Sequence, residues 1–170
     1  MIETPRLLLR PHRLDDFDAF ASMWQEPAVV QYISGKPSTI QQSWMRLLGY
    51  AGHWALLGYG YWAIEERASG AFIGEVGFAD YHREMDGAPD GPEIGWVLAP
   101  HAHNKGYATE AVTAALGWAR DSLQRFPATW CMIVPENEAS VRVAEKCGLR
   151  ERGRSSYAGS TVALFERPLR

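Results

Sequence analysis

The stretch from Glu93 to Val134 limits the fold more than anything else in the chain. "EIGWVLAP" is a short apolar strand closed by Pro100. Ala108, Ala111, Val112, Ala115, Leu116, Ala119 and Leu123 then recur at helical spacing, with Pro127 just beyond. "ATWCMIV" follows as a buried strand. Strand, helix and strand in succession make a right-handed crossover, and such a crossover leaves its two strands parallel.

The rest of the chain fits around that unit. Arg6 to Arg10 is a short strand stopped by Pro11, and Leu14, Phe17, Ala21 and Trp24 have helical spacing before Pro27. Ser38 and Gln41 stand at capping-box spacing, ahead of an apolar stripe of Ile40, Trp44, Leu47, Leu48 and Ala51. Tyr59 to Glu65 and Ala71 to Tyr81, separated by "RASG", read as an antiparallel hairpin. "HREMDGAPDGP" is a loop by its Gly, Pro and Asp content. Asn137 caps "EASVRVAEKC", Gly148 supplies a left-handed stop, and "LRERGRS" and "STVALFERP" form a last hairpin. The expectation is an α/β (α+β) domain over residues 1–170, with a mixed, mostly antiparallel twisted sheet. About seven strands, a splayed parallel pair in the middle and about four flanking helices are predicted.

Composition excludes several functions. A chain of 170 residues, 46% of them hydrophobic, fits one domain large enough to bury a core and would be cramped as two. A net charge of -3 lacks the basic surplus that binds nucleic acid. No apolar run is long enough for a membrane span, and a protein without an export signal is expected. Cys131 and Cys147 form no CxxC pair and suit a reducing, cytoplasmic compartment. His101 and His103 have no third ligand at a useful spacing, so no metal is expected.

"HNKGYATEA", His103 to Ala111, carries more polar equipment than a helix start needs. Unpaired amides and the aligned peptide dipoles make that end an anion seat, and Gly106 and Ala108 would let a phosphate approach. A glycine-assisted turn capped by Asn104 explains the same residues. Gly-x-Gly-x-x-Gly and Gly-x4-Gly-Lys-Ser/Thr loops are both absent. Gly95 interrupts the preceding strand, marking a bulge or a close backbone approach. A bulge would splay the parallel strands, and their freed backbone groups could pair with an amide-containing ligand whose phosphates rest on the helix. Coenzyme A has that chemistry.

Four stretches in order, "TPRLLLRP", "EIGWVL", "HNKGYATEA" and "NEASVRVAEKCGL", resemble the GNAT acetyltransferases, in the branch of the ribosomal-protein N-terminal acetyltransferases RimJ and RimL. The match spans Thr4 to Leu149. The family's pyrophosphate motif runs Gln or Arg, two residues, Gly, one residue, Gly or Ala; here Gly106 and Ala108 are in register and His103 departs from its first position. The resemblance implies an acetyl-CoA-dependent N-acetyltransferase that transfers directly to a primary amine in a ternary complex. It makes Trp96 and Leu98 main-chain partners of the pantetheine arm. His103, Asn104, Lys105, Gly106, Tyr107, Ala108 and Thr109 would form the phosphate cradle, with Asn137 as a further contact. Ser140, three residues on, would reprotonate the leaving thiolate.

Transfer also needs an unprotonated amine. Glu93, at the start of the strand the cofactor would lie along, is the first candidate base, and Glu75 the next. An N-terminal α-amine, with a pKa near ~8, needs a strong base less than lysine does. The acidic loop at Glu84, Asp86 and Asp90 could steer a cationic amine. Trp44, Tyr50, Trp54, Tyr59, Tyr61 and Trp62 are expected to line an acceptor cleft. A protein N-terminus is the first acceptor considered. A small-molecule amine, or a non-catalytic acyl-CoA sensor, is the alternative. The resemblance suggests a monomer or homodimer.

Overall fold

A computed structural model describes residues 1–170. One sheet of eight strands runs through it: β1 (Ile2–Glu3), β2 (Leu7–Arg10), β3 (Tyr61–Glu66), β4 (Ala71–Ala79), β5 (Glu93–Leu98), β6 (Ala128–Ile133), β7 (Arg150–Tyr157) and β8 (Ser160–Pro168). Their order is β1-β2-β3-β4-β5-β6-β8-β7, with every neighbouring pair antiparallel except β5 and β6. The parallel pair therefore lies inside the sheet, as the crossover requires. The helices are α1 (Phe17–Gln25), α2 (Pro27–Val30), α3 (Ile40–Leu57), α4 (Tyr107–Ser122) and α5 (Glu138–Lys146). The two-residue β1 and the one-turn α2 are the additions to the expected count, both too short to show a periodicity. No helix is long and apolar enough to cross a membrane.

Strand alternation separates two cores. On one face Ile94, Leu98, Trp62 and Phe78 pack against Ala111, Val112, Ala115, Leu116 and Ala119 of α4. Small alanines let the helix approach the sheet closely. On the other face Tyr61 and Ala79 meet Phe20, Met23, Trp24, Leu47 and Tyr50 from α1 and α3.

Two expectations about α3 are corrected. The capping box is Thr39 with Gln42: the Gln42 N–H donates to Thr39 Oγ1 at 3.1 Å, and the Thr39 N–H to Gln42 Oε1 at 2.8 Å. Ser38 instead accepts from Arg46 at 3.2 Å. One residue's shift in the cap changes nothing in the hydrophobic spacing, so the pattern could not separate the two frames. The buried stripe is Ser43, Leu47 and Tyr50, while Ile40, Trp44, Leu48 and Ala51 are exposed.

α1 is anchored by a buried ion pair. Arg10, 3% exposed, grips both oxygens of Asp16 at 2.7 Å and Glu65 at 2.6 Å. Burial pushes the Asp16 carboxyl up, but the Arg10 hydrogen bonds, the Arg13 amide and the Arg10 charge together hold it below its ordinary value. Asp16→Asn should cost about 3 kcal/mol at neutral pH, the scale for breaking a buried pair from one side. A depressed folded pKa gives stability that is present above the unfolded value and lost as pH falls through the folded one. Urea unfolding should therefore show the difference from wild type shrinking in strong acid.

Candidate active site

Sheet register shows where backbone groups are left free. The Ala99 N–H donates to Ile73 O at 2.9 Å, so the main chain of residues 95, 97 and 99 faces β4. Alternation turns Ile94, Trp96 and Leu98 toward β6. There the ladder holds only at its start, with the single register pair Glu93 and Trp130 and a Trp130 N–H to Pro92 O bond of 3.3 Å. Beyond it the strands part. Trp96 and Leu98 open onto the gap, at the C-terminal ends of both strands, where the loops leading to α4 and α5 also emerge.

Gly95 does not produce this splay. Its strand pairs with β4 without a break, and the irregularity lies in β4, where Ile73 is an extra residue opposite the Ile64–Glu65 step. Gly95 serves the other function a strand glycine can have, close approach: a Cβ there would fall on the Tyr61 hydroxyl.

The loop after β5 leaves the first amides of α4 without a cap. Asn104 and Gly106 take left-handed backbone, at φ 60° and 79°. Gly106, not Asn104, is the N-cap of α4, and no side chain satisfies the first amides of the helix. They follow an exposed loop, His103 to Gly106, and uncapped amides at a helix start are the kind of group that accepts an anion. The His103 ring turns back, donating from Nε2 to Leu98 O at 2.8 Å. Its departure from the motif thus anchors the loop to β5 and occupies one of the two Leu98 main-chain groups. An open surface hollow of about 610 Å³ adjoins these amides, lined by Thr4, Gly106, Thr109, Thr113 and Lys146 among others. The hollow at Arg120 and Arg170 has no such amides.

The chain's beginning braces this loop, which sequence reasoning missed. Arg6 donates to Lys105 O at 2.8 Å and to Glu110 Oε2 at 2.7 Å, and Thr4 donates to Glu110 Oε1 at 2.7 Å. Arg6 also lies over the Tyr107 ring, whose hydroxyl donates to Glu66 at 2.6 Å. A contact 99 residues apart in sequence has no local pattern to announce it.

Across the gap, Asn137 Oδ1 accepts the Ser140 N–H at 3.2 Å and caps α5. Its side-chain amide nitrogen stays available. The Ser140 hydroxyl, half-buried, makes no hydrogen bond within the chain.

The acceptor-side candidates separate. Both oxygens of Glu93 are held by Arg83, at 2.9 and 2.8 Å, so neither can take a proton without breaking that fork. Arg83 in turn sits over Tyr81 and Tyr157 and donates to the Tyr157 hydroxyl at 2.8 Å. Glu75 is fully buried beside Tyr50. Alternation divides the six aromatics expected to line one cleft: Tyr50 and Tyr61 share the α1 and α3 face with Glu75, whereas Trp54, Tyr59 and Trp62 belong to the α4 core and Trp44 packs outside on Phe17. Cys131 and Cys147 are buried, with thiols pushed up by burial, and supply no nucleophile.

Comparison with known proteins gives the family and agrees with the fold. The acetyltransferase (GNAT) domain matches residues 6–150. The uncharacterized N-acetyltransferase YnaD of Bacillus subtilis (strain 168) is 33% identical over 154 residues, covering 89% of this chain and 84% of its own. A GNAT-family acetyltransferase from Bordetella pertussis superposes with a TM-score of 0.84 at 28% identity, over 98% of each chain. The ribosomal L7/L12 α-N-protein acetyltransferase RimL, solved with coenzyme A, shares the fold with a TM-score of 0.77 at 16% identity, over 97% of this chain and 95% of that one.

Arg6→Ala should weaken coenzyme A binding about tenfold, hydrogen bonds to charged groups being worth ~1.5 kcal/mol. Calorimetric titration checks this. Gly95→Ala should leave that affinity near wild type and lower turnover by about 100-fold, the scale of a misplacement of ~1 Å at a reacting centre.

Proposed function

The chain belongs to the GNAT acetyltransferase family and uses acetyl-CoA to acetylate an amine; from that premise we propose that its acceptor is a protein N-terminal α-amine. The domain would be a single one over residues 1–170. Trp96 and the Leu98 N–H hold the pantetheine amides, and the seat from His103 to Thr109, with Lys146 beside it, holds the pyrophosphate. Asn137 contributes its amide nitrogen, and Ser140 protonates the departing thiolate. The observation that carries this assignment is the gap after the Glu93–Trp130 pair, with free strand groups on one side, helix amides at its end and an unengaged hydroxyl across it.

The chemistry follows from these positions. Main-chain N–H groups aimed into the gap can polarise the thioester carbonyl and stabilise the oxyanion formed on attack. A neutral amine adds to the carbonyl carbon, and the C–S bond then breaks. Ser140 supplies its proton to sulfur and regains one from the nitrogen, so the side chain is unchanged over a turnover.

An N-terminal acceptor is favoured over a polyamine by the state of the two strand carboxylates. Glu75 is buried and Glu93 is neutralised by Arg83, so neither presents a free charge to a distal ammonium, and only the exposed loop carboxylates Glu84, Asp86 and Asp90 remain to attract a cation. An α-amine, about 8 in pKa, is already partly neutral near neutral pH.

The test is thiol release from acetyl-CoA with free peptides, their Nα-acetylated forms, amino acids and polyamines. Free peptides should react and blocked ones should not; a preference for polyamines would overturn the acceptor assignment. Ser140→Ala should lower kcat by about 100-fold with little change in KM, within the usual range for a lost general acid. Unchanged turnover would remove Ser140 from the mechanism.

A further inference from the structure

We propose that the outward face of α3 is the interface of a homodimer, in which two copies of this chain pair their α3 helices antiparallel across a two-fold axis at Leu48. The proposal goes beyond the reaction and does not depend on which amine is acetylated.

The face is unlike that of a helix standing in water. α5, with nine residues, carries Glu138, Arg142, Glu145 and Lys146, whereas α3, with eighteen, carries one charged residue, Arg46. Arg46 turns back to the fold, its guanidinium 3.6 Å over the Trp24 ring and donating to Ser38. His53 also points its ring nitrogens at carbonyls of the chain, 2.9 Å from Gly49 O and 3.3 Å from Asp80 O. What remains outside is apolar. Met45, Leu48 and Leu56 are 60, 45 and 85% exposed, and Ile40 and Trp44 flank them at 54 and 39%. A helix that is apolar on its outer side as well as its inner one is a helix that becomes buried. These five side chains present roughly 600 Å², the upper end for the largest apolar patch of a monomer.

The partner is a second copy because the face is complementary to itself. The positions opposite the buried Ser43, Leu47 and Tyr50 are Gln41, Met45, Leu48, Gly52 and Ala55, spaced four and three residues apart as in the seam between paired helices. The larger residues occupy the first half of this seam and the small ones the second. Two such seams running antiparallel set Leu48 against its own counterpart, Met45 against Gly52 and Gln41 against Ala55. Each large side chain then meets a small one or lies on the axis, and a two-fold interface requires that self-complementarity. No residue of the seam is charged, so the symmetry brings no like charges together. Gly49 and Gly52 are accounted for as well. Within the chain a Cβ at either would meet nothing, although glycine inside a helix is destabilising relative to alanine.

The size is sufficient. Two such faces, with the backbone bared at the glycines, would bury about 1,200 Å² or more in total, the lower end for a specific complex. A lipid surface fits less well, because helices that lie on membranes carry lysine and arginine beside the apolar face, and the one arginine of α3 is stacked on Trp24.

The experiment is sedimentation equilibrium of the full chain at concentrations on the order of 1 to 100 μM, the weak end for interfaces of this size. Wild type should reach twice the 19.0 kDa of one chain. L48E places two like charges on the axis and should raise the dissociation constant about 100-fold or more, with an unchanged circular dichroism spectrum. Oxidation of cysteine variants tests the axis. L48C should link two chains, whereas M45C and wild type, whose Cys131 and Cys147 are both buried, should not. A wild type that stays monomeric throughout overturns the proposal, whether or not it binds vesicles of anionic lipid, and so does a dimer that L48E leaves intact. A link through M45C in place of L48C overturns the axis. Should L48E fail to fold, L48C decides, and the absence of a linked dimer overturns the proposal.

Discussion

The β5–β6 ladder ends after one register pair, and the rest of the site depends on that termination. Each strand keeps a complete antiparallel partner on its other edge, β4 for β5 and β8 for β6, so the sheet survives the opening. Main-chain groups that would otherwise satisfy each other are left for a ligand with amides of its own. Because the strands are parallel, the loops that follow them emerge at the same end. One brings the bare amides of α4 and the other brings Asn137 and Ser140.

Two arginines secure the ends of β5. Arg83 holds Glu93 at its beginning and is sandwiched by Tyr81 and Tyr157; Arg6 holds the loop beyond its end through Lys105 and Glu110. His103 ties that same loop to Leu98. Backbone held at both ends is preorganised, and preorganised N–H groups stabilise a developing oxyanion without reorganising at the moment of reaction. The opposite face of the same strand is kept bare at Gly95 for Tyr61. On the proposed reading, a single strand thus serves the cofactor through its edge and the acceptor side through its face.

The sequence shows the cofactor side well because that chemistry is local. A strand, a small-residue loop and an amphipathic helix occur within thirty or so residues, and an N-cap asparagine announces the next helix. The acceptor side is hardly legible there. Its groups are shared among α1, α3, β3, β4 and the loop after β4, and composition does not tell which face of a strand a side chain takes. Six aromatics that form one group in sequence fall on two faces and an outer surface. Glu93 and Glu75 differ because Arg83 reaches one and Tyr50 the other, over 10 and 25 residues.

By itself, then, the sequence determined the parallel crossover, the glycine-led start of the helix within it, the terminal hairpin and the family that these imply, since each follows from short-range periodicity, glycine placement or capping. Only the tertiary structure decided that Gly95 makes room for a tyrosine and does not bulge, that His103 turns inward, that Arg6 braces the loop and that Glu75 is buried beside Tyr50. Those outcomes depend on which distant side chain arrives at a given point, and packing and charge pairing settle that only when the whole sheet has closed.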